Sequence, residues 1–176
     1  MRWSRTSPLG VRQTEAGLPI MRYVVLWVRV AFGAHALMSG LNYFVQIMPL
    51  PPVDHSAAGP FVAEMTRIGL YDLIKVVELL VGVCLIFNLF TPLALVIEFP
   101  ITVSIFYLSV VVVGHGRPVF TGWRELFYNG FLIAAYAGYY LPLLTARPAP
   151  LAVWSADIAR TIPSALRGAG AVRRPT

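Results

Sequence analysis

Four long runs of apolar residues, separated by short polar segments, dominate the pattern along the chain. A bilayer-spanning helix needs about 20 mostly apolar residues, so each run is long enough to cross a membrane. The runs cover residues 23–48, 71–90, 93–113 and 123–144. The first run is too long for a signal-peptide core, and no small-residue cleavage site follows it, so we expect it to be retained. The pattern predicts four transmembrane helices.

The polar segments between these runs predict short connections. Prolines forbid a continuous helix after the first run until Pro60, which suits a first helical position. Phe61, Met65 and Ile68 then share one face, which predicts a short interfacial helix on the outer membrane surface. The NLFTP segment, residues 88–92, leaves room only for a tight turn between two antiparallel helices. The glycine-rich segment 114–123 predicts a short outer loop.

Composition supports a membrane protein. Of the 176 residues, 57% are hydrophobic and 12% are charged, whereas soluble domains carry about 25% charged residues. We therefore predict an all-α, polytopic membrane protein with one four-helix transmembrane domain at residues 22–144. Residues 1–21 are predicted to form a flexible N-terminal tail, and residues 145–176 a basic C-terminal tail. Met21 is an alternative candidate for the start of the chain.

The positions of the basic residues predict the orientation of the chain. The net charge is +6, and most of the arginines lie in the two tails. Because cytoplasmic segments are enriched in Arg and Lys, and because four spans put both tails on one side, both termini are predicted to be cytoplasmic. In the C-terminal tail an amphipathic helix is expected to rest on the lipid bilayer through Leu151, Trp154, Ile158 and Ile162. This distribution argues against nucleic-acid binding.

The most informative polar residues lie inside the apolar runs. Lys75 and Glu78 are one helical turn apart, and an ionised side chain within a bilayer must face protein, water or a partner. On the first helix, Asn42 is about as far from the outer end as this pair, so we predict that Asn42, Lys75 and Glu78 line one polar pocket. The pocket is either a buried polar staple or a ligand or proton site.

A second pair of charges is predicted in the cytoplasmic half. Arg29 on the first helix and Glu98 on the third lie at similar depths from the cytoplasmic end, which predicts a structural ion pair between them. Pro100 removes a backbone hydrogen bond of the third helix and is expected to kink it near Val96. His35 is interpreted as a hydrogen-bonded core histidine.

Small residues predict where helices approach closely. Gly33, Ala36 and Gly40 share one face of the first helix, and Gly82 leaves room for a neighbouring backbone. On the fourth helix Gly130, Ala134 and Gly138 predict a further packing seam.

Several kinds of chemistry have no support in the sequence. Cys84 is the single cysteine, so a disulfide, dithiol or cysteine metal cluster within one chain is not possible. Haem ligation by two histidines would need a partner for His35, whereas His55 and His115 fall in outer segments. Phosphate-binding loops and hydrolase or metalloprotease motifs are absent. No metal site and no self-contained catalyst are predicted.

These features together resemble the DoxX family of small bacterial four-helix membrane proteins. The resemblance rests on RVAFGAHALMSGLNYF followed by MPLPP, on IKVVELLVG, and on an apolar third span with its proline. It covers residues 22–144. Many members carry a lysine near the positions of Asn42 and Tyr43, which this chain lacks.

The resemblance implies a location and a redox function. Family members are described as membrane subunits of quinone-linked oxidoreductases, in thiosulfate oxidation or thiol stress. It therefore implies a multi-pass protein of the bacterial inner membrane, with a redox partner protein and a possible homo-oligomer. No covalently bound cofactor is expected, and a quinone is the candidate ligand. Lys75 would hydrogen-bond a quinone oxygen, and Glu78 would relay its proton.

Two other functions remain open at the level of sequence. The chain could be a small transporter or carrier for a polar solute, with the two charged groups at opposite ends of a pathway, although four helices are few for alternating access and no inverted repeat is apparent. It could also be a structural assembly subunit whose charges only set the helix register.

Overall fold

The computed structural model describes residues 17–49 and 55–140, and the secondary structure of these residues is entirely helical. The elements are α1 (Gly17–Val45), α2 (Ala58–Arg67), α3 (Leu70–Phe87), α4 (Thr91–Phe106), a π-helical continuation of α4 (Tyr107–Val113), α5 (Gly116–Ala135) and α6 (Ala137–Tyr140). The all-α prediction is confirmed for the described residues. The predicted C-terminal tail and its amphipathic helix lie outside them, as do residues 1–16.

The connection between α3 and α4 is the tight turn that the NLFTP segment predicts. Asn88 and Phe90 adopt left-handed backbone conformations, with φ of 57° and 48°. The Leu89 N–H donates to the Cys84 carbonyl at 2.8 Å, which satisfies a free carbonyl at the end of α3. Thr91 Oγ1 donates to Asn88 Oδ1 at 3.1 Å. The two helices therefore reverse direction within three residues.

Two of the long helices begin several residues before their predicted starts. α1 begins at Gly17, so residues 17–21 are helical rather than part of a flexible tail. α5 begins at Gly116, seven residues before the predicted start at 123. The chain turns sharply at Gly114 and Gly116, both with φ of 69°, and Pro118 then falls in the first turn of α5, where a missing N–H costs no helical hydrogen bond.

α4 remains α-helical through Pro100, and its geometry changes later, in the π-helical stretch from Tyr107. The kink near Val96 stays a prediction. Gly122 of α5 packs against this stretch, because a Cβ there would lie 3.0 Å from Ser109 Cβ and from Val110 Cγ2.

The small residues of α1 pack against α3, as predicted. A Cβ at Gly40 would lie 2.8 Å from the Lys75 carbonyl oxygen, and one at Gly82 would lie 2.6 Å from the Leu37 backbone nitrogen. Among the described residues nothing lies within 4 Å of a Cβ added at Gly130 or Gly138, so these two glycines of the predicted seam meet no neighbouring helix there. Close helix contact in the described part of the chain therefore centres on α1 and α3.

The long helices contact one another in the cyclic order α1, α3, α4, α5 and back to α1. An apolar cluster fills the interior towards the α3–α4 turn; it comprises Val28, Phe32, Val81, Leu85, Ala94, Leu95 and Leu132. Large apolar side chains also cover the outside, where Trp27 is 64% exposed, Leu80 62% and Phe127 62%.

Within residues 17–49 and 55–140, two helical stretches are long and apolar enough to cross a membrane, Ile20–Val45 and Thr91–Val113. In the second, only 11% of the most apolar window is buried within the protein, whereas the core helix of a soluble protein is mostly buried. α3 and α5 each carry three charged residues. Membrane association is thus supported by length and composition.

α2 lies beside α3 and the π-helical end of α4. It begins at Ala58, two residues before the predicted Pro60, and leaves Phe61 and Ile68 exposed. The Nε–H of Arg67 donates to Glu64 Oε2 at 2.8 Å, and this hydrogen bond holds the pKa of the exposed Glu64 carboxyl below its ordinary value.

Candidate functional site

Charged and polar side chains from all four long helices occupy the interior. Those that are buried are Arg29, Lys75, Glu78, Thr91, Glu98, Thr102, Glu125 and Asn129. Buried charges are costly unless they are paired and hydrogen-bonded, so the partners of each one show what holds it.

Lys75 and Glu78 form the central ion pair. The Lys75 ammonium donates to Glu78 Oε2 at 2.8 Å and to Oε1 at 2.9 Å. It also donates to Ser39 Oγ on α1 at 3.0 Å and lies 5.0 Å from the centre of the Tyr71 ring. The spacing of one helical turn places both charges on the same face of α3, and the close contact with Gly40 brings α1 near enough for Ser39 to take part.

No hydrogen bond joins Asn42 to this pair among the described residues. Its Oδ1 accepts a hydrogen bond from the Met48 N–H at 2.5 Å, and its carbonyl accepts one from the Gln46 N–H at 2.9 Å. Asn42 therefore holds the chain where α1 ends. Ser39, rather than Asn42, accepts a hydrogen bond from the Lys75 ammonium. Above the pair, the Tyr43 hydroxyl donates to Asp72 Oδ1 and joins α1 to α3 again.

Arg29 and Glu98 are both buried, but no ion pair joins them among the described residues. Arg29 Nη1 and Glu98 Oε2 each lack a hydrogen-bond partner. Glu98 instead lies close enough to Glu78, Glu125 and Lys75 for direct coulombic interaction.

The tight α3–α4 turn explains the position of Glu98. Glu78 lies nine residues before the end of α3, and Glu98 lies seven residues after the start of α4. At 1.5 Å per residue, their heights above the turn differ by only about 3 Å. The sequence prediction compared the depths of Arg29 and Glu98 from the predicted helix ends, and it therefore did not place Glu98 level with Glu78.

His35, Arg124 and Glu125 form a second cluster between α1 and α5. The Arg124 guanidinium donates to Glu125 Oε1 at 2.8 Å, and His35 Nε2 lies 3.0 Å from the same oxygen. His35 Nε2 also lies 2.8 Å from Arg124 Nη2. A protonated Nε2 donates to the carboxylate, whereas an unprotonated Nε2 accepts from the guanidinium. The protonation state of His35 therefore decides which contact is a hydrogen bond.

Sequence reasoning singled out neither Arg124 nor Glu125 as part of the interior. Both residues fall at the outer end of the predicted fourth span, which starts at residue 123. The available signal was Glu125 itself, a carboxylate at the third position of an apolar run.

Thr102 and Asn129 join α4 to α5 between these charged groups. Asn129 Nδ2 donates to Thr102 Oγ1 at 2.9 Å, and both side chains are buried. Among residues 17–49 and 55–140, no group of three or more His, Cys, Asp or Glu side chains is placed to hold a metal ion.

No family model, no curated protein and no solved structure matches this chain. The chemistry of the site must therefore be argued from its own geometry. That geometry offers three carboxylates, one ammonium group and two guanidinium groups within a helical interior, together with a histidine at its edge.

Proposed function

We propose that this chain is a four-span, DoxX-like integral membrane protein that serves as the membrane subunit of a quinone-linked oxidoreductase complex. The observation that carries the membrane assignment is the distribution of polarity. Charged side chains are buried between the helices, while large apolar side chains cover the outside.

This distribution suits lipid as the surrounding solvent. In water, each Å² of apolar surface that stays exposed loses about 25 cal/mol of the stabilisation that burial would give. Large apolar side chains such as Trp27 and Phe127 are exposed in this way. In a bilayer the same side chains contact acyl chains, and the buried charges meet one another. The burial of Lys75, Glu78 and Glu125 supports α3 and α5 as the two further spans of this proposal.

The proposed orientation places both termini in the cytoplasm and α2 on the outer side of a bacterial inner membrane. Arginine enrichment in the two tails supports it. We expect a cysteine introduced at Ala63, in α2, to react with a membrane-impermeant maleimide in intact cells. A cysteine at Asn88, in the α3–α4 turn, should react only after the cells are opened. Both variants carry Cys84→Ala, and labelling in the reverse order would contradict the orientation.

The redox assignment rests on the family resemblance and on the chemistry of the central ion pair. A buried ammonium group can donate to a quinone oxygen, and a buried carboxylate can carry its proton. Lys75 and Glu78 lie side by side, with Ser39 as a further hydroxyl. In the proposed site Lys75 holds the quinone and Glu78 relays the proton, and the link to thiosulfate or thiol-stress chemistry comes from the resemblance.

The test is purification from native membranes, followed by identification of co-purifying proteins and of quinone in an organic extract. We expect a redox enzyme and a quinone to be recovered with the unaltered chain. The double variant Lys75→Met with Glu78→Leu should remain folded and lose the quinone. Glu64→Gln, on the exposed pair of α2, is the matched control and should retain it. Failure to recover either partner would contradict the redox assignment while leaving the membrane assignment intact.

A second candidate is a small transporter for a polar solute. It is favoured by the succession of polar groups from the exposed contact of Tyr43 with Asp72, through the buried Lys75 and Glu78, to the buried Glu98. Solute uptake by reconstituted vesicles would support it. A purely structural assembly subunit, including a homo-oligomer, predicts neither uptake nor bound quinone.

A further inference from the structure

Two buried oxygen atoms lack a hydrogen-bond partner where α4 packs on α5. Glu98 Oε2 and Asn129 Oδ1 are both unpaired, and the two residues are 3% and 0% exposed. The Asn129 amide is held at this place by its hydrogen bond to Thr102, which lies one helical turn from Glu98. Buried acceptors without a donor are costly and rare, so this pair calls for an explanation.

The charges around Glu98 leave it without a counter-ion. On α3, Lys75 is paired with Glu78, and on α5, Arg124 is paired with Glu125. α1 contributes His35, which contacts Glu125. With His35 neutral, the three carboxylates and two cations of this group carry one excess negative charge. Arg29, the buried cation of α1, forms no ion pair with Glu98 among the described residues.

We propose that Glu98 is an exchangeable proton-binding site inside the bundle. A proton on its carboxyl group removes the excess charge and converts an acceptor into a donor. In the proposed arrangement the Asn129 carbonyl oxygen, whose amide is fixed by Thr102, accepts a hydrogen bond from that donor. The proton comes from water and returns to water, so no other reactant is required. The inference depends on the buried position of Glu98 and not on a bound quinone.

The experiment uses the full chain in lipid nanodiscs and dicyclohexylcarbodiimide, which modifies protonated carboxyl groups in apolar surroundings. Mass spectrometry of the peptides reports the modified residue. We expect Glu98 to be labelled, labelling to fall as pH rises, and Glu78 and Glu125 to stay unlabelled because each is paired with a cation. Sodium ions at constant ionic strength should not protect Glu98. Glu98→Gln should abolish the label, and Ser104→Ala, an exposed hydroxyl on the same helix, should leave it unchanged.

A second measurement tests the electrostatic origin of the site. Glu125→Gln removes a neighbouring negative charge, so the pH at which half of Glu98 is labelled should fall by about one unit. Three outcomes would overturn the proposal: Glu98 unlabelled at every pH in the unaltered chain, labelling of Glu78 equal to that of Glu98, or protection by sodium, which would indicate a sodium site. All three outcomes are measured on the unaltered chain, so the proposal can be tested even if a variant fails to fold.

Discussion

Replacing Lys75 by methionine is expected to destabilise the folded protein by about 3–5 kcal/mol, because it leaves the Glu78 carboxylate buried without its cation. In the structure both carboxylate oxygens accept from the Lys75 ammonium. Thermal unfolding in detergent micelles measures the change. The loss should appear at neutral pH, where an unpaired carboxylate must either remain charged in the interior or take up a proton.

The double variant Lys75→Met with Glu78→Leu replaces both charged side chains by apolar ones of similar size. It therefore separates the contribution of the ion pair to stability from the contribution of packing. Buried ion pairs exchanged for apolar residues of similar size are often neutral or stabilising. We expect this variant to recover most of the stability that the single change removes. Glu64→Gln, which breaks the exposed pair of α2, should cause no measurable change. Equal stability of the single variant and the unaltered chain would mean that Glu78 has another partner.

Gly82→Ala is expected to destabilise the protein by about 1–3 kcal/mol through overpacking. The added Cβ would lie 2.6 Å from the Leu37 backbone nitrogen and 2.8 Å from its Cα. Backbone atoms cannot move aside as the end of a flexible side chain can, so α1 and α3 must separate. That separation would also weaken the hydrogen bond from Lys75 to Ser39.

Gly130→Ala is the matched control for this prediction. Gly130 also lies within a helix, but nothing is within 4 Å of a Cβ added there. Alanine favours the helix over glycine by roughly 1 kcal/mol, so this variant should be as stable as the unaltered chain or more stable. Destabilisation by Gly130→Ala equal to that by Gly82→Ala would contradict the packing described for α1 and α3.

The two glycine sites also show how far a small-residue pattern can be used. Gly40 and Gly82 were predicted to permit close approach, and they do. Gly130 and Gly138 follow the same spacing rule and meet nothing among the described residues. The small-residue spacing indicates that a helix face can accept a closely packed helix. Only the arrangement of the other helices determines whether a helix packs there.

The charged residues divide in the same way. Lys75 and Glu78 are predictable as a pair because one helix brings them together, and local geometry suffices. Predicting contacts between Arg29 and Glu98, and between Asn42 and Lys75, required the correct register between helices. No ion pair or hydrogen bond joins either pair among the described residues. The cluster of His35, Arg124 and Glu125 depends on α5 beginning at Gly116. The glycines and Pro118 are typical of a loop, so the sequence predicted a later start for this helix.

The sequence by itself determined the helical class, the long apolar segments, the tight turn at residues 88–92 and the Lys75–Glu78 pair. Each of these follows from neighbours within a few residues and from the cost of exposing polar backbone or charge to an apolar solvent. Only the tertiary structure decided that Glu98 lies near Glu78, that Ser39 replaces Asn42, and that Glu125 meets His35. Those contacts depend on relative helix heights, which a shift of one helical turn, about 5.4 Å, would change completely.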